Sequence, residues 1–158
     1  MVKPKQLGHV VLRVRDVERS KAFYTDVLGL EVTFEAPGAM AFMSAGEASH
    51  ELAVMALGPN APGPDSSRVG LYHFAWEMES FEDLKRLNRE LKEKGVNIVG
   101  VGDHGVSIGV YFLDPDGNEM EAFYELPRDQ WPADGNIFGG AFPLGGLNEE
   151  PATAAKSP

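Results

Sequence analysis

The sequence predicts an α+β fold made of two βαβββ modules in tandem. Three observations carry that prediction. Runs of β-branched and aromatic residues recur with period-two alternation, two amphipathic helix patterns interrupt them, and the whole order repeats after a proline-rich break. His9 and His73 fall at the same point of the first strand in each half. A chain of 158 residues has room for one domain or two small fused modules and is long enough to bury a core.

Module one spans about 6–57. Leu7 to Val14 reads as a strand, with His9, Val11 and Arg13 on one face and Gly8, Val10, Leu12 and Val14 on the other. Asp16 suits a helix N-cap, the helix runs to about Leu28 burying Ala22, Phe23 and Val27, and Gly29 ends it. Strands follow near Leu30–Phe34, Ala39–Ser44 and Glu51–Leu57. Residues 58–70 carry three prolines with Asn60, Asp65 and two serines, and read as a linker.

Module two spans about 71–125. Leu71 to Glu77 is its first strand; Ser80 with Asp83 resembles a capping box; Phe81, Leu84, Leu87 and Leu91 form an apolar helix stripe closed by Gly95. Val96–Val99 and a hairpin complete it. The hairpin pairs Val106–Leu113 with Glu119–Tyr124 across Asp114-Pro115-Asp116-Gly117-Asn118, a turn specified residue by residue: Asp114 bonds nearby backbone, Pro115 presets φ and Gly117 reverses the chain. Residues 126–158 are rich in proline and glycine and predict an irregular tail. Trp131, Phe138 and Phe142 suggest that its first part packs down as a cover, and Asn148 to Pro158 has the composition of a disordered segment.

Composition narrows the function. With 24 acidic against 14 basic residues the net charge is -10, which repels nucleic acid phosphates and anionic membrane surfaces. The absence of cysteine removes disulfides, thiolate zinc sites and cysteine nucleophiles, so any metal site must use His, Asp or Glu. Met1 to Gln6 lacks a signal-peptide core and no later stretch is long enough to span a bilayer, so the expected location is cytoplasmic.

Glu121 needs an explanation. It lies between Met120 and Ala122 in a mostly apolar strand, and burying it without a cation would be costly, so it faces water or meets a partner charge. If the modules pack side by side, His9 and His73 come close and Glu121 arrives on the last strand. Two neutral imidazoles and one carboxylate make the facial triad that holds a divalent metal, commonly Fe(II), with positions left open. A lone histidine on an apolar strand is more often a core or rim residue than a ligand; repetition at equivalent positions is what favours the ligand reading here. Gly100-Val101-Gly102-Asp103-His104-Gly105 matches the dinucleotide fingerprint literally, yet a β-rich run follows where that motif needs a helix, so it is rejected.

His9 followed by a helix ending Tyr24-Thr25-Asp26-Val27-Leu28-Gly29-Leu30, and Asp114-Pro115-Asp116-Gly117-Asn118 followed by Glu121, resemble the vicinal oxygen chelate superfamily of glyoxalases, epimerases, resistance proteins and extradiol dioxygenases. The resemblance covers about Gln6 to Glu125. It implies two βαβββ modules forming a cupped mixed sheet around one metal site, with His9, His73 and Glu121 as ligands of Fe(II), or of Mn(II) as in some relatives.

The extradiol dioxygenase branch fits best. Ser49-His50-Glu51-Leu52-Ala53-Val54 is similar to the strand that in those enzymes carries an acid-base histidine. Asp103-His104-Gly105-Val106-Ser107 with Tyr111 is similar to their segment bearing a further histidine and a tyrosine. The resemblance therefore gives His50 the role of exchanging a diol proton, and His104 and Tyr111 that of donating hydrogen bonds to bound oxygens. Ala53, near the point where glyoxalase-type members carry a fourth ligand, implies a three-ligand site. The expected activity is ring cleavage of an aromatic diol with O2, and a homodimer is the expected assembly. A metal-dependent isomerase or epimerase, or a drug-sequestering resistance protein of the same superfamily, is the alternative.

Overall fold

The protein is described by a computed structural model covering residues 1–149. Ten strands-and-helices alternate in the order β1 (Val10–Val14), α1 (Val17–Leu28), β2 (Glu31–Ala36), β3 (Met40–Ser44), β4 (Leu52–Ala56), β5 (His73–Glu77), α2 (Phe81–Glu93), β6 (Ile98–Asp103), β7 (Ser107–Leu113) and β8 (Glu119–Glu125). They form two four-stranded mixed sheets, β1-β4-β3-β2 and β5-β8-β7-β6. In each, the first strand pairs in parallel with the last and the other two pairings are antiparallel. Two compact units result: residues 1–69 with 114–118, and 70–113 with 119–149.

The repetition extends to an irregularity. The β2–β3 ladder shifts register between Val32 and Phe34, and the β6–β7 ladder does so between Ile98 and Gly100. A bulge leaves one residue unpaired and bends its strand; finding it at one point of both ladders marks the halves as copies. The same ladders fix equivalences. Val11 pairs with Ala53 where Ala75 pairs with Glu121, and Phe42 pairs with Ala53 where Tyr111 pairs with Glu121. Ala53 therefore occupies in the first sheet the position that Glu121 occupies in the second.

Both helices start and stop on the expected residues. Asp16 accepts from the Arg19 amide, and Gly29 closes α1 with a φ of 67°, its amide bonding back to Thr25. Ser80 Oγ accepts from the Asp83 amide and donates to the Asp83 carboxylate, so the pair caps α2 through side chains, whereas a full capping box would return a bond to the Ser80 amide. The stripe Phe81, Leu84, Leu87 and Leu91 is buried as the period requires. The α1 stripe differs from expectation. Ala22 is exposed and Phe23 half-buried; the buried line is Val17, Ser20, Tyr24 and Val27. Two of those four are polar, and both find partners in the turn 114–118.

That turn is the best-satisfied polar cluster of the first unit. The Asp114 carboxylate accepts from the Tyr24 hydroxyl at 2.9 Å and, at 2.8 Å each, from the Asp116 amide, the Asn118 amide and the Asn118 side chain. Burial together with the adjacent Asp114 charge raises the Tyr24 hydroxyl well above its ordinary range. Asp116 is buried as well and takes Arg15 at 2.9 Å and Arg19 at 2.7 Å. Burial pulls the Asp116 carboxyl upward, but the two guanidinium partners outweigh it and hold it below the usual carboxylate range. Residues 58–69 form turns only, and Ala61 O accepts from Arg15 Nε at 2.7 Å.

Several boundaries differ from the sequence expectation: β1 begins at Val10, so His9 sits just before it; β2 runs Glu31–Ala36, two residues beyond Phe34; β5 begins at His73 rather than Leu71; and β6 runs Ile98–Asp103 rather than Val96–Val99. A short 3₁₀ turn, Arg128–Gln130, opens the tail. The tail packs on the second unit through buried Leu126, Phe142 and Leu147, while Trp131 Nε1 donates to Leu126 O at 2.8 Å. Phe138 departs from the expected covering role, being 75 % exposed. Asn148, expected in a disordered end, accepts from Lys92 at 2.7 Å; the rest of that segment, 150–158, lies outside the described residues.

Asp116→Ala removes charged hydrogen bonds from a buried site, and it is expected to cost about 2 kcal/mol, or about 4 to 8 °C in Tm. Because the folded pKa of Asp116 is depressed, its contribution is complete above the unfolded value of 3.8 and is lost as pH falls through the lower folded value. Thermal melts across pH should show the variant and the parent converging only at that acid end.

Candidate metal centre

Four residues expected to act together lie in the second unit: His73, Glu121, Tyr111 and His104. Their strands explain their grouping. His73 opens β5, Ala75 is opposite Glu121, and Glu121 is opposite Tyr111, so alternation puts His73, Glu121 and Tyr111 on one face of the sheet. His73 Nε2 stands 3.6 Å from Glu121 Oε2, too long for a hydrogen bond and within the span that two ligands of one divalent ion occupy. The Tyr111 ring meets the His73 ring edge to face with centroids 5.3 Å apart. His104 lies in the turn after β6, its amide bonded to Ser107 O, and its Nε2 is 3.1 Å from the Tyr111 hydroxyl.

These residues fit a divalent cation. Glu121 is 8 % exposed, and His73 is its sole salt-bridge partner among the described residues. His73 Nδ1 is buried without a hydrogen-bond partner. A buried carboxylate without a cation is costly, and an ion between Glu121 and His73 Nε2 would offset part of that cost, while His73 Nδ1 would still lack a partner. The same carboxylate acts on its neighbour: burial pushes the Tyr111 hydroxyl above its ordinary value of 10, and Glu121 adds to the shift. No group of three His, Asp or Glu side chains gathers as a ready metal cage among the described residues.

An open cavity of about 450 Å³ adjoins this cluster, lined by Tyr72, His73, Val99, Val101, His104 and Tyr111 among others. Its walls combine the Tyr72 and Tyr111 rings and two valines with the imidazoles of His73 and His104 and the Glu119 carboxylate. Alternation in the expected strand from Leu71 sends Tyr72 to the face opposite His73, but β5 begins only at His73, and the Tyr72 ring meets that of His73 at 4.9 Å. A larger open cleft, about 580 Å³, lies at the ends of β5 and β8 and is lined by Glu77, Glu79, Glu125 and Arg128 among others. It holds no histidine and none of the residues above.

The first unit holds His9 and His50. Their rings lie 4.5 Å apart between centroids, and Phe42 meets His50 edge to face at 5.0 Å. Ser49 Oγ is 3.1 Å from His50 Nδ1.

A family model described as Glyoxalase/Bleomycin resistance protein/Dioxygenase superfamily matches residues 6–122. The chain is 35% identical over 129 residues to the catechol-2,3-dioxygenase of Bacillus subtilis (strain 168), covering 81% of this chain and 44% of that one. It is 34% identical over 117 residues to biphenyl-2,3-diol 1,2-dioxygenase 3 of Rhodococcus globerulus, covering 73% and 61%. It thus spans about half the length of these relatives. The mitochondrial methylmalonyl-CoA epimerase of Bos taurus is 30% identical, covering 70% of this chain and 67% of its own. A glyoxalase/dioxygenase structure from Nostoc punctiforme superposes with a TM-score of 0.67 at 23% identity, over 80% of this chain and 97% of that one, which shows a shared fold.

Tyr111→Phe should delete one phenolate transition from an alkaline absorbance titration. The deleted transition should lie above pH 10, leaving the curve below unchanged. Because the folded pKa is raised, the stability linked to this hydroxyl is full below the unfolded value of 10 and is lost as pH rises beyond it.

Proposed function

Because the chain belongs to the glyoxalase/bleomycin resistance protein/dioxygenase superfamily, we propose that it is an extradiol dioxygenase that cleaves the ring of a catechol-type diol with O2. One observation carries the choice within the family. Ala53 stands at the position equivalent to Glu121, and alanine cannot ligate, so the ligand set is His9, His73 and Glu121 with further positions open to a diol and O2. The similarity to two diol dioxygenases supports this reading, as do the aromatic walls of the cavity beside His73.

The metal, Fe(II) or else Mn(II), would supply a cationic centre that favours the diol as its anion and brings it beside O2. The chain's own groups do the rest. His50 Nε2 takes a diol proton and returns one to the opened product, work suited to an imidazole. The Tyr111 hydroxyl, kept protonated by burial and by Glu121, donates to a substrate oxygen, and His104 orients it through their shared hydrogen bond. The Tyr72 ring and the Val99 and Val101 side chains offer the apolar surface against which the ring of the diol lies.

The test is metal analysis of anaerobically purified protein followed by oxygen-electrode traces with a panel of catechols. Bound iron or manganese, O2 uptake and a coloured ring-fission product are expected. His9→Ala, His73→Ala and Glu121→Ala should each weaken metal binding by more than the roughly 10- to 100-fold that loss of an outer partner costs. His50→Ala should keep the metal and lose about a hundredfold in kcat. Turnover of a non-diol substrate without O2, with Ni, Co or Zn, would instead establish the isomerase or epimerase alternative, and tight ligand binding without metal the drug-sequestering one.

A homodimer is part of the proposal. Mixing His9→Ala with His73→Ala chains restores activity if the ligands of one metal come from two chains, and leaves it absent if they come from one; sedimentation gives the assembly directly.

A further inference from the structure

Gly102 and Gly109 face each other across the β6–β7 ladder. Glycine in mid-strand weakens a sheet, by about 0.5–1 kcal/mol relative to alanine, and such positions mark a bulge or a close approach. Neither residue has a positive φ, so backbone conformation does not require glycine at either place. Space does. A Cβ on residue 109 would collide with Glu121 Oε1 and lie 2.9 Å from Glu121 Cδ and Cγ. A Cβ on residue 102 would lie 2.9 Å from Tyr111 Cε2, 3.0 Å from His104 Nε2 and 3.2 Å from the Tyr111 hydroxyl.

The first sheet supplies an internal control. The position equivalent to Gly109 is Met40, and that equivalent to Gly102 is Ala36. Where the ligand position holds Ala53, its diagonal neighbour is a full-sized methionine; where it holds Glu121, the neighbour has no side chain at all.

We propose that Gly109 and Gly102 are positioning residues, Gly109 setting the place of the Glu121 carboxylate and Gly102 that of the Tyr111–His104 pair. The role of that carboxylate as a metal ligand rests on the function proposed above; the positioning itself does not. The atoms that a new methyl would strike are the ends of side chains, so alanine displaces those ends and leaves the ladder in place.

Double-variant cycles test this. In the parent, Gly109→Ala lowers Tm. In a Glu121→Ala background it raises Tm by about 2 °C, since the collision has gone and alanine is the better strand residue. Gly102→Ala behaves in the same way against the Tyr111→Ala/His104→Ala pair, since both side chains meet the new methyl. Equal shifts in both backgrounds would overturn the proposal. Titration with Mn(II) alone adds a second reading: Gly109→Ala loses at least tenfold in affinity in the parent and nothing further in Glu121→Ala, whereas an equal loss in both backgrounds means a general disturbance and counts against it. A parent protein that binds no Mn(II) or Fe(II) would defeat the proposed function, while the Tm cycles would still decide the positioning.

Discussion

The register of β8 against β7 is the constraint on which the chemistry of the second unit depends. Side chains alternate along a strand, so slipping this ladder by one residue would send Glu121 to the opposite face and bring Met120 or Ala122 round in its place. The turn 114–118 fixes that register. Asp114 accepts hydrogen bonds from two backbone amides of the turn, and its own amide donates to Asn118 O, so the number of residues in the loop is not free to change. The buried carboxylates of this chain thus divide by partner. Asp114 and Asp116 have several donors each and hold structure; Glu121 has the Tyr111 hydroxyl beside it and His73 at 3.6 Å, and no guanidinium or ammonium partner among the described residues.

Room is the second constraint, and it acts through small residues. The face that carries His73, Glu121 and Tyr111 is floored by Ala75, Gly100, Gly102 and Gly109, whereas the opposite face carries Ile108, Val110, Phe112 and Met120, all buried. One sheet therefore has a packed side that supplies cohesion and a side left bare enough for polar groups to lie flat on it. The unfavourable strand propensity of those glycines is offset by the apolar packing behind them.

Much of this was legible in the sequence. The two-module order, both helix caps, the α2 stripe and the turn at Asp114 were read from residue types whose local preferences agree with the fold. The errors have physical causes. Ala22 was placed inside α1 because it is apolar, when Tyr24 and Ser20 fill that stripe by virtue of carboxylates ninety or more residues away, which no local pattern reveals. The expected strand Val96–Val99 stops short of Gly100 and Gly102, which are strand residues of β6 whose missing side chains make space for others. Of the site, His73 and Glu121 are legible from the repeated histidine and the carboxylate in an apolar strand, and Tyr111 and His104 from resemblance, whereas Tyr72 and Gly109, one contributing surface and the other space, carry no reactive atom that a sequence pattern reveals.

The divergence of Ala53 from Glu121 has an evolutionary side. A single codon change would suffice to gain or lose a carboxylate at that point, were the point isolated. It is not isolated: Met40 fills in the first half the space that Gly109 leaves in the second. Restoring an acid at 53 while Met40 remains would set it against a methionine, and removing Met40 while Ala53 remains would open a void. Each change is unfavourable without the other, so the residues at 40 and 53 are coupled, and the first half cannot regain that acid by one substitution alone.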